Sequence, residues 1–281
     1  MTERPHPLRS VPGFGGTHPG IQIGTYVNST ATDDELRFLQ QVGVEWAMLI
    51  VDDPGQQTAE HYKRFDERLD RYGMRIYRIA NHAVHNVEEI TLGLPGRDEK
   101  IREFLDFLGE LGKAGIRYHT YAHMGNGIWS TGSTPGRGGV DSRVLDIANA
   151  KGYWNGKVFQ GELTHGRPYS EDELWDNYEY FIRQVVPVAE ENGVFVGVHP
   201  DDPPVYALGG VPRCIFGNFD GYRRALEIAG SPNIGVCLCI GCWLEGGTLG
   251  MGNSVIDAIR HFGERGQLFK VHFRNVSNPM P

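Results

Sequence analysis

Three of the four cysteines, Cys237, Cys239 and Cys242, crowd into six residues of an otherwise apolar stretch. Imidazoles close two other apolar runs: His199 follows Val194 to Val198, and His272 precedes Arg274 by two residues near the end of the chain. A thiolate beside imidazoles suits a borderline divalent ion, Mn²⁺, Fe²⁺, Co²⁺ or Zn²⁺, better than Mg²⁺. Cys237 and Cys239 share one face of a strand, as do His272 and Arg274, because side chains alternate with period two. His272 can then bind metal while Arg274 clamps a carboxylate in bidentate fashion. After His199 the chain reads Pro200-Asp201-Asp202-Pro203-Pro204, a stiff rim in which one aspartate either orients the imidazole or acts catalytically. Cys237 reads as a small core residue. A zinc cluster of all three cysteines lacks the two C-x-x-C pairs of a structural site.

Further polar residues end other apolar runs: His82 after the third, His119, Tyr121 and His123 on the fourth, and Glu162 and His165 after the fifth. We read Arg274, Asp201, His165 and Glu162 as candidate catalytic groups, and His82, His123, Trp129 and Arg213 as candidate substrate contacts. For Trp129 the competing role is loop packing, and for Arg213 a surface pairing with Asp201 or Asp202.

Something must hold these groups on one rim. β-rich runs at 21–26, 46–51, 75–80, 116–123, 157–160, 194–199, 234–240 and 268–274 alternate with helical patterns. Thr32 with Glu35 and Ser170 with Glu173 form capping-box patterns ahead of apolar residues spaced three and four apart. Eight strands with intervening helices predict a closed (β/α)8 barrel, one domain over 1–281, whose active site lies at the C-terminal strand ends. The stretch 125–155 is too long for a βα turn and reads as a loop insertion that could serve as a lid. The helix expected after the eighth strand is missing before Pro281.

The 281 residues carry 40% hydrophobic and 22% charged side chains and a formal charge of −8. That composition predicts a globular core and disfavours nucleic acid or an anionic membrane as partner. With no apolar signal or spanning run, the expected compartment is the cytoplasm.

The segment Val198-His199-Pro200-Asp201-Asp202-Pro203-Pro204, followed by Gly210-Val211-Pro212-Arg213, resembles the signature of the mannonate dehydratases. Cys239-Ile240-Gly241 and His272-Phe273-Arg274-Asn275 fall in register with that family's later motifs, and the similarity runs over about 93–275. The resemblance implies a xylose-isomerase-like TIM barrel and a divalent metal, usually Mn²⁺, held by His199, Cys239 and His272 and by an aspartate that this sequence does not reach. It implies dehydration of D-mannonate, a small sugar acid, to 2-keto-3-deoxy-D-gluconate. The family carries an arginine close behind a tryptophan after strand four, where Arg137 is the candidate counterpart. Two other readings stay open: a metal-dependent sugar isomerase or epimerase of the same superfamily, and an inactive barrel used for binding. A homo-oligomer is compatible with all three.

Overall fold

The computed structural model describes residues 21–51 and 53–280; the Pro- and Gly-rich 1–20 segment lies outside them. Strand β1 (Gly24–Asn28) leads into α1 (Asp33–Gln41), and the capping box forms as read, with the Thr32 hydroxyl and the Glu35 carboxylate each taking the other's backbone amide. Then follow β2 (Trp46–Ile50), α2 (Ala59–Asp70), β3 (Arg75–Ala80), the short α3 (His82–His85) and α4 (Glu88–Leu92), α5 (Arg97–Ala114) and β4 (Tyr118–Ala122). An excursion carries β5 (Ile128–Ser130), β6 (Gly132–Pro135), β7 (Asp141–Val144), β8 (Lys151–Trp154) and β9 (Lys157–Phe159). The second capping box, Ser170 with Glu173, opens α6 (Glu171–Glu191), followed by β10 (Phe195–His199), α7 (Phe219–Ala229), β11 (Ile234–Cys239), α8 (Ile240–Met251), α9 (Val255–Glu264) and β12 (Leu268–His272).

Seven strands, in the order β1-β2-β3-β4-β10-β11-β12, form one sheet in which every pair is parallel. The sheet curls as a barrel does: the Lys270 ammonium of β12 sits 5.0 Å from the ring of Tyr77 on β3, across the inside. Tyr77 stacks on Tyr118, and the Tyr118 hydroxyl occupies the space where any side chain at Gly197 would project, so glycine there lets the inner layer close. The fold is an incomplete (β/α)8 barrel, since β1 and β12 do not pair with each other among the described residues.

The fifth expected strand is a correction. Residues 157–159 do form a strand, but it pairs antiparallel with β8 in a small side sheet, β5-β8-β9, while β6 and β7 form a separate hairpin. β4 therefore neighbours β10 directly. The excursion is thus built of two small sheets, not an irregular loop.

Helices cover the outer face of the sheet. His119 and Tyr121 point outward onto Phe104 and Phe107 of α5 and Phe181 of α6. His123 shares their face: its ring lies among Tyr178, Phe181 and Phe216, its Nδ1 bonds the Tyr121 hydroxyl, and burial pushes its pKa down to about 3. It belongs to the layer between sheet and helices, so the structure removes it from the substrate contacts.

Candidate active site

β10, β11 and β12 lie side by side, and each ends in a potential metal ligand: His199, Cys239 and His272. Cys239 pairs in register with His272, and the rings of His199 and His272 are 4.9 Å apart. Helix α8 starts directly from the end of β11, with Cys239 as its N-cap, and its first turn brings Cys242 back to the same place. A ring nitrogen of His199 and the sulfurs of Cys239 and Cys242 all lie within 4.8 Å of one another.

These donors fit a borderline divalent ion. His199 Nδ1 donates to the Pro200 carbonyl at 2.7 Å, which fixes the tautomer and leaves Nε2 with its lone pair. Cys239 is held well below the usual thiol range by the Cys242 thiol, and then by His199 and His272, against the opposing effect of burial. His272 is raised to about 9, first by Cys237, whose sulfur lies 3.7 Å from its Nε2.

Beside the thiols stands a lattice of two carboxylates and two guanidinium groups. Arg274 lies 2.9 Å from Glu245 and 3.9 Å from Asp202, and its Nη2 donates to Cys242 Sγ at 3.4 Å. Arg143 bonds Asp202 and lies 3.3 Å from Glu245. Both carboxylates are buried, and burial together with Asp202 raises Glu245. Buried charges need such pairing. Asp202, Cys242 and Glu245 also lie within metal-binding distance of one another, but guanidinium groups already engage both carboxylates. Glycine at 241 leaves room for the Arg274 guanidinium, which a methyl group at that position would displace.

The excursion roofs the site. Arg143 comes from the β6–β7 hairpin, and the Trp129 amide donates to the Asp202 carbonyl at 3.0 Å. Trp154 of β8 stacks 5.3 Å from His85 and lies 5.9 Å from His82. His85 Nδ1 lies 2.6 Å from the Thr120 carbonyl and 3.0 Å from the Arg78 guanidinium, and burial, reinforced by Arg78, pushes the ring's pKa well down and keeps it neutral.

Of the residues singled out from sequence, the structure brings together His199, Cys239, His272 and Arg274, with His82 at the mouth under Trp154. The others sit elsewhere. Asp201 turns to Arg213, 3.8 Å away, and burial raises it to about 6; its neighbour Asp202 faces the arginine pair. Arg213 is itself buried and donates to Asn126 Oδ1 and the Gly127 carbonyl, so it anchors the loop after β4. Trp129 is buried, its Nε1 donating to Asn126, in the packing role. His165 pairs with Glu88 at 3.1 Å and stacks on Phe159; Glu162 lies exposed in the turn after β9, because that strand is not part of the barrel. Arg137 is exposed at the hairpin tip, and Arg143 is the arginine that reaches the site.

Sequence reasoning weighed Cys242 only as part of a three-cysteine cluster and set it aside, and it missed Glu245, Arg143 and His85. Glu245 had a signal: it is the single charged residue of the apolar α8. Cys242 had one too, three residues after Cys239 at a strand-to-helix junction. Arg143 had none, since a Gly-rich hairpin does not announce its register.

The family model described as D-mannonate dehydratase (UxuA) matches residues 152–280. Mannonate dehydratase 2 of Halalkalibacterium halodurans is 28% identical over 276 residues, covering 88% of this chain and 75% of the relative. The mannonate dehydratase of Streptococcus equi subsp. zooepidemicus is 32% identical over 238 residues, covering 78% of this chain and 63% of the relative. Among solved structures, mannonate dehydratase from Streptococcus suis serotype 2 superposes with a TM-score of 0.72 at 24% identity, covering 92% of this chain and 74% of that one. A xylose isomerase domain protein from Planctomyces limnophilus shares the fold at a TM-score of 0.53 and 13% identity, covering 91% of this chain and 74% of that one.

Proposed function

The chain belongs to the mannonate dehydratase family, and on that premise we propose that it removes water from D-mannonate, giving 2-keto-3-deoxy-D-gluconate, at the ends of β10, β11 and β12. The observation that carries this reading is the meeting of soft metal donors with a paired-arginine lattice on one rim. That combination suits an α-hydroxy acid, whose carboxylate needs cations and whose neighbouring hydroxyl needs a Lewis acid.

His199, Cys239 and His272 would hold the divalent ion, and Mn²⁺ is the ion the family resemblance implies. When bound, the ion supplies positive charge where the proton beside the carboxylate is lost. Arg274 and Arg143 face the substrate carboxylate, and Asp202 and Glu245 keep both guanidinium groups in position. His85, kept neutral by burial and by Arg78, is the group to accept the C2 proton. The proton taken from C2 passes on to the C3 hydroxyl, which leaves as water and returns His85 to its neutral form, and the resulting enol tautomerises to the 2-keto acid. Trp154, His82 and the hairpin exclude solvent from the mouth, in the manner of a lid.

The test is metal analysis of the purified protein, intact and as Cys239→Ser, coupled to a 2-keto-3-deoxy acid assay on D-mannonate with added Mn²⁺. Stoichiometric metal and product in the intact protein, both lost in the variant, support the reading. Bound metal without product from D-mannonate removes this substrate.

A further inference from the structure

We propose that Cys242 is a second thiolate ligand of the metal, completing with His199 and Cys239 a donor set that selects a softer ion than Mn²⁺. The inference rests on the metal-dependent reading above and concerns which of this chain's residues hold the ion.

Among the described residues, two sets of donors lie within 4.8 Å of one another, His199 with Cys239 and Cys242, and Asp202 with Cys242 and Glu245, and Cys242 belongs to both. Cys242 is fully buried, its sulfur lies beside that of Cys239, and the Arg274 guanidinium donates to it at 3.4 Å. A cationic donor aimed at a sulfur stabilises its anionic form. Cys237, the other thiol on the strand, is set apart: it lies 3.7 Å from His272 Nε2 and against the Tyr118 hydroxyl in the layer below. Asp202 and Glu245 approach Cys242 as closely as the other donors do, but they are engaged by Arg143 and Arg274.

The placement follows from local structure. A strand that ends in one cysteine and turns at once into a helix returns the residue three positions on to the strand end, so Cys239-Ile240-Gly241-Cys242 presents both sulfurs to one point. Two sulfurs with imidazole nitrogen are the donors of Zn²⁺ and of tetrahedral Co²⁺ or Fe²⁺, whereas Mn²⁺ favours oxygen.

Cobalt substitution counts the thiolates directly. The full chain, reduced and stripped of metal, is titrated with Co²⁺ while the sulfur-to-cobalt charge-transfer absorption in the near ultraviolet is recorded. The expected intensity is that of two thiolates, falling to about half in Cys242→Ser and in Cys239→Ser and unchanged in Cys237→Ser. Competition titrations should show Zn²⁺ affinity falling in Cys242→Ser by more than the roughly 10- to 100-fold that outer-shell partners contribute, with Mn²⁺ less affected. A one-thiolate spectrum in the parent chain, or one that Cys242→Ser leaves unchanged at full Co²⁺ stoichiometry, overturns the second ligand and leaves the metal site standing. Failure of the parent chain to bind Co²⁺ or Zn²⁺ overturns both.

Discussion

Glu245 holds two guanidinium groups in a pocket where water is scarce, so its charge matters more than its size. In Glu245→Gln, Arg143 and Arg274 retain Asp202 as their one carboxylate partner in this lattice, leaving excess positive charge beside a buried carboxylate. Breaking such a set costs about 3 kcal/mol, read as a lower urea midpoint with unchanged slope, and adding Arg143→Met should recover part of the loss. A change under about 0.5 kcal/mol, the ordinary range of surface substitutions, would mean that the lattice is not coupled. Asp201 behaves differently. Burial raises its folded pKa from 3.8 to about 6, so the folded state binds the extra proton. Its contribution to stability is therefore fully present below about pH 3.8 and lost as pH rises through about 6, at most about 3 kcal/mol. Asp201→Asn should flatten the pH dependence of the unfolding free energy across that window; an unaltered profile would refute the assignment. The residues legible in sequence were those that end a strand or sit two apart in one, namely His199, Cys239, His272 and Arg274. Period two places two residues on a common face without saying which face, and that ambiguity misplaced His123.

The element that sequence could not place is the β6–β7 hairpin. Its strands pair only with each other, all eight of their residues are exposed, and its one deep contact is Arg143. Replacing the hairpin by a short Gly-Ser link should leave the melting temperature within a few degrees, because almost no apolar surface is lost. The same deletion should raise KM for the sugar acid by at least the roughly tenfold that one charge-assisted hydrogen bond of about 1.5–3 kcal/mol contributes. Arg143→Met should reproduce the KM effect. Unchanged KM in both would assign the hairpin a purely structural role. The seven barrel strands, by contrast, were legible from apolar runs bounded by turn residues, with end points within about three residues. The run at 157–160 misled because a short apolar segment bounded by glycine reads alike in a barrel and in a side hairpin.

At the scale of the whole molecule, the curled sheet has two edges that no other described strand pairs, β1 and β12. β1 and β12 do not pair with each other among the described residues, and apolar side chains on and beside them are open to solvent: Ile23, Tyr26, Val271 and Phe273, the last 95% exposed. Backbone donors and acceptors along an unpaired strand invite another strand, and flanking apolar groups add to the attraction. The 281-residue chain should therefore associate as its concentration rises, with a weight-average mass in sedimentation equilibrium above that of the 31.3 kDa monomer. Phe273→Glu with Tyr26→Lys should return it towards monomer, because charges at a strand edge oppose pairing. Tyr26 lies on β1, away from the metal donors, so Tyr26→Lys alone should leave metal content the same, whereas Phe273 adjoins His272 and its variant is checked by metal analysis alongside the mass measurement. A parent chain that remains monomeric at every concentration would show that these edges are protected despite their exposure, and self-association unaffected by the charge pair would place the contact on another face.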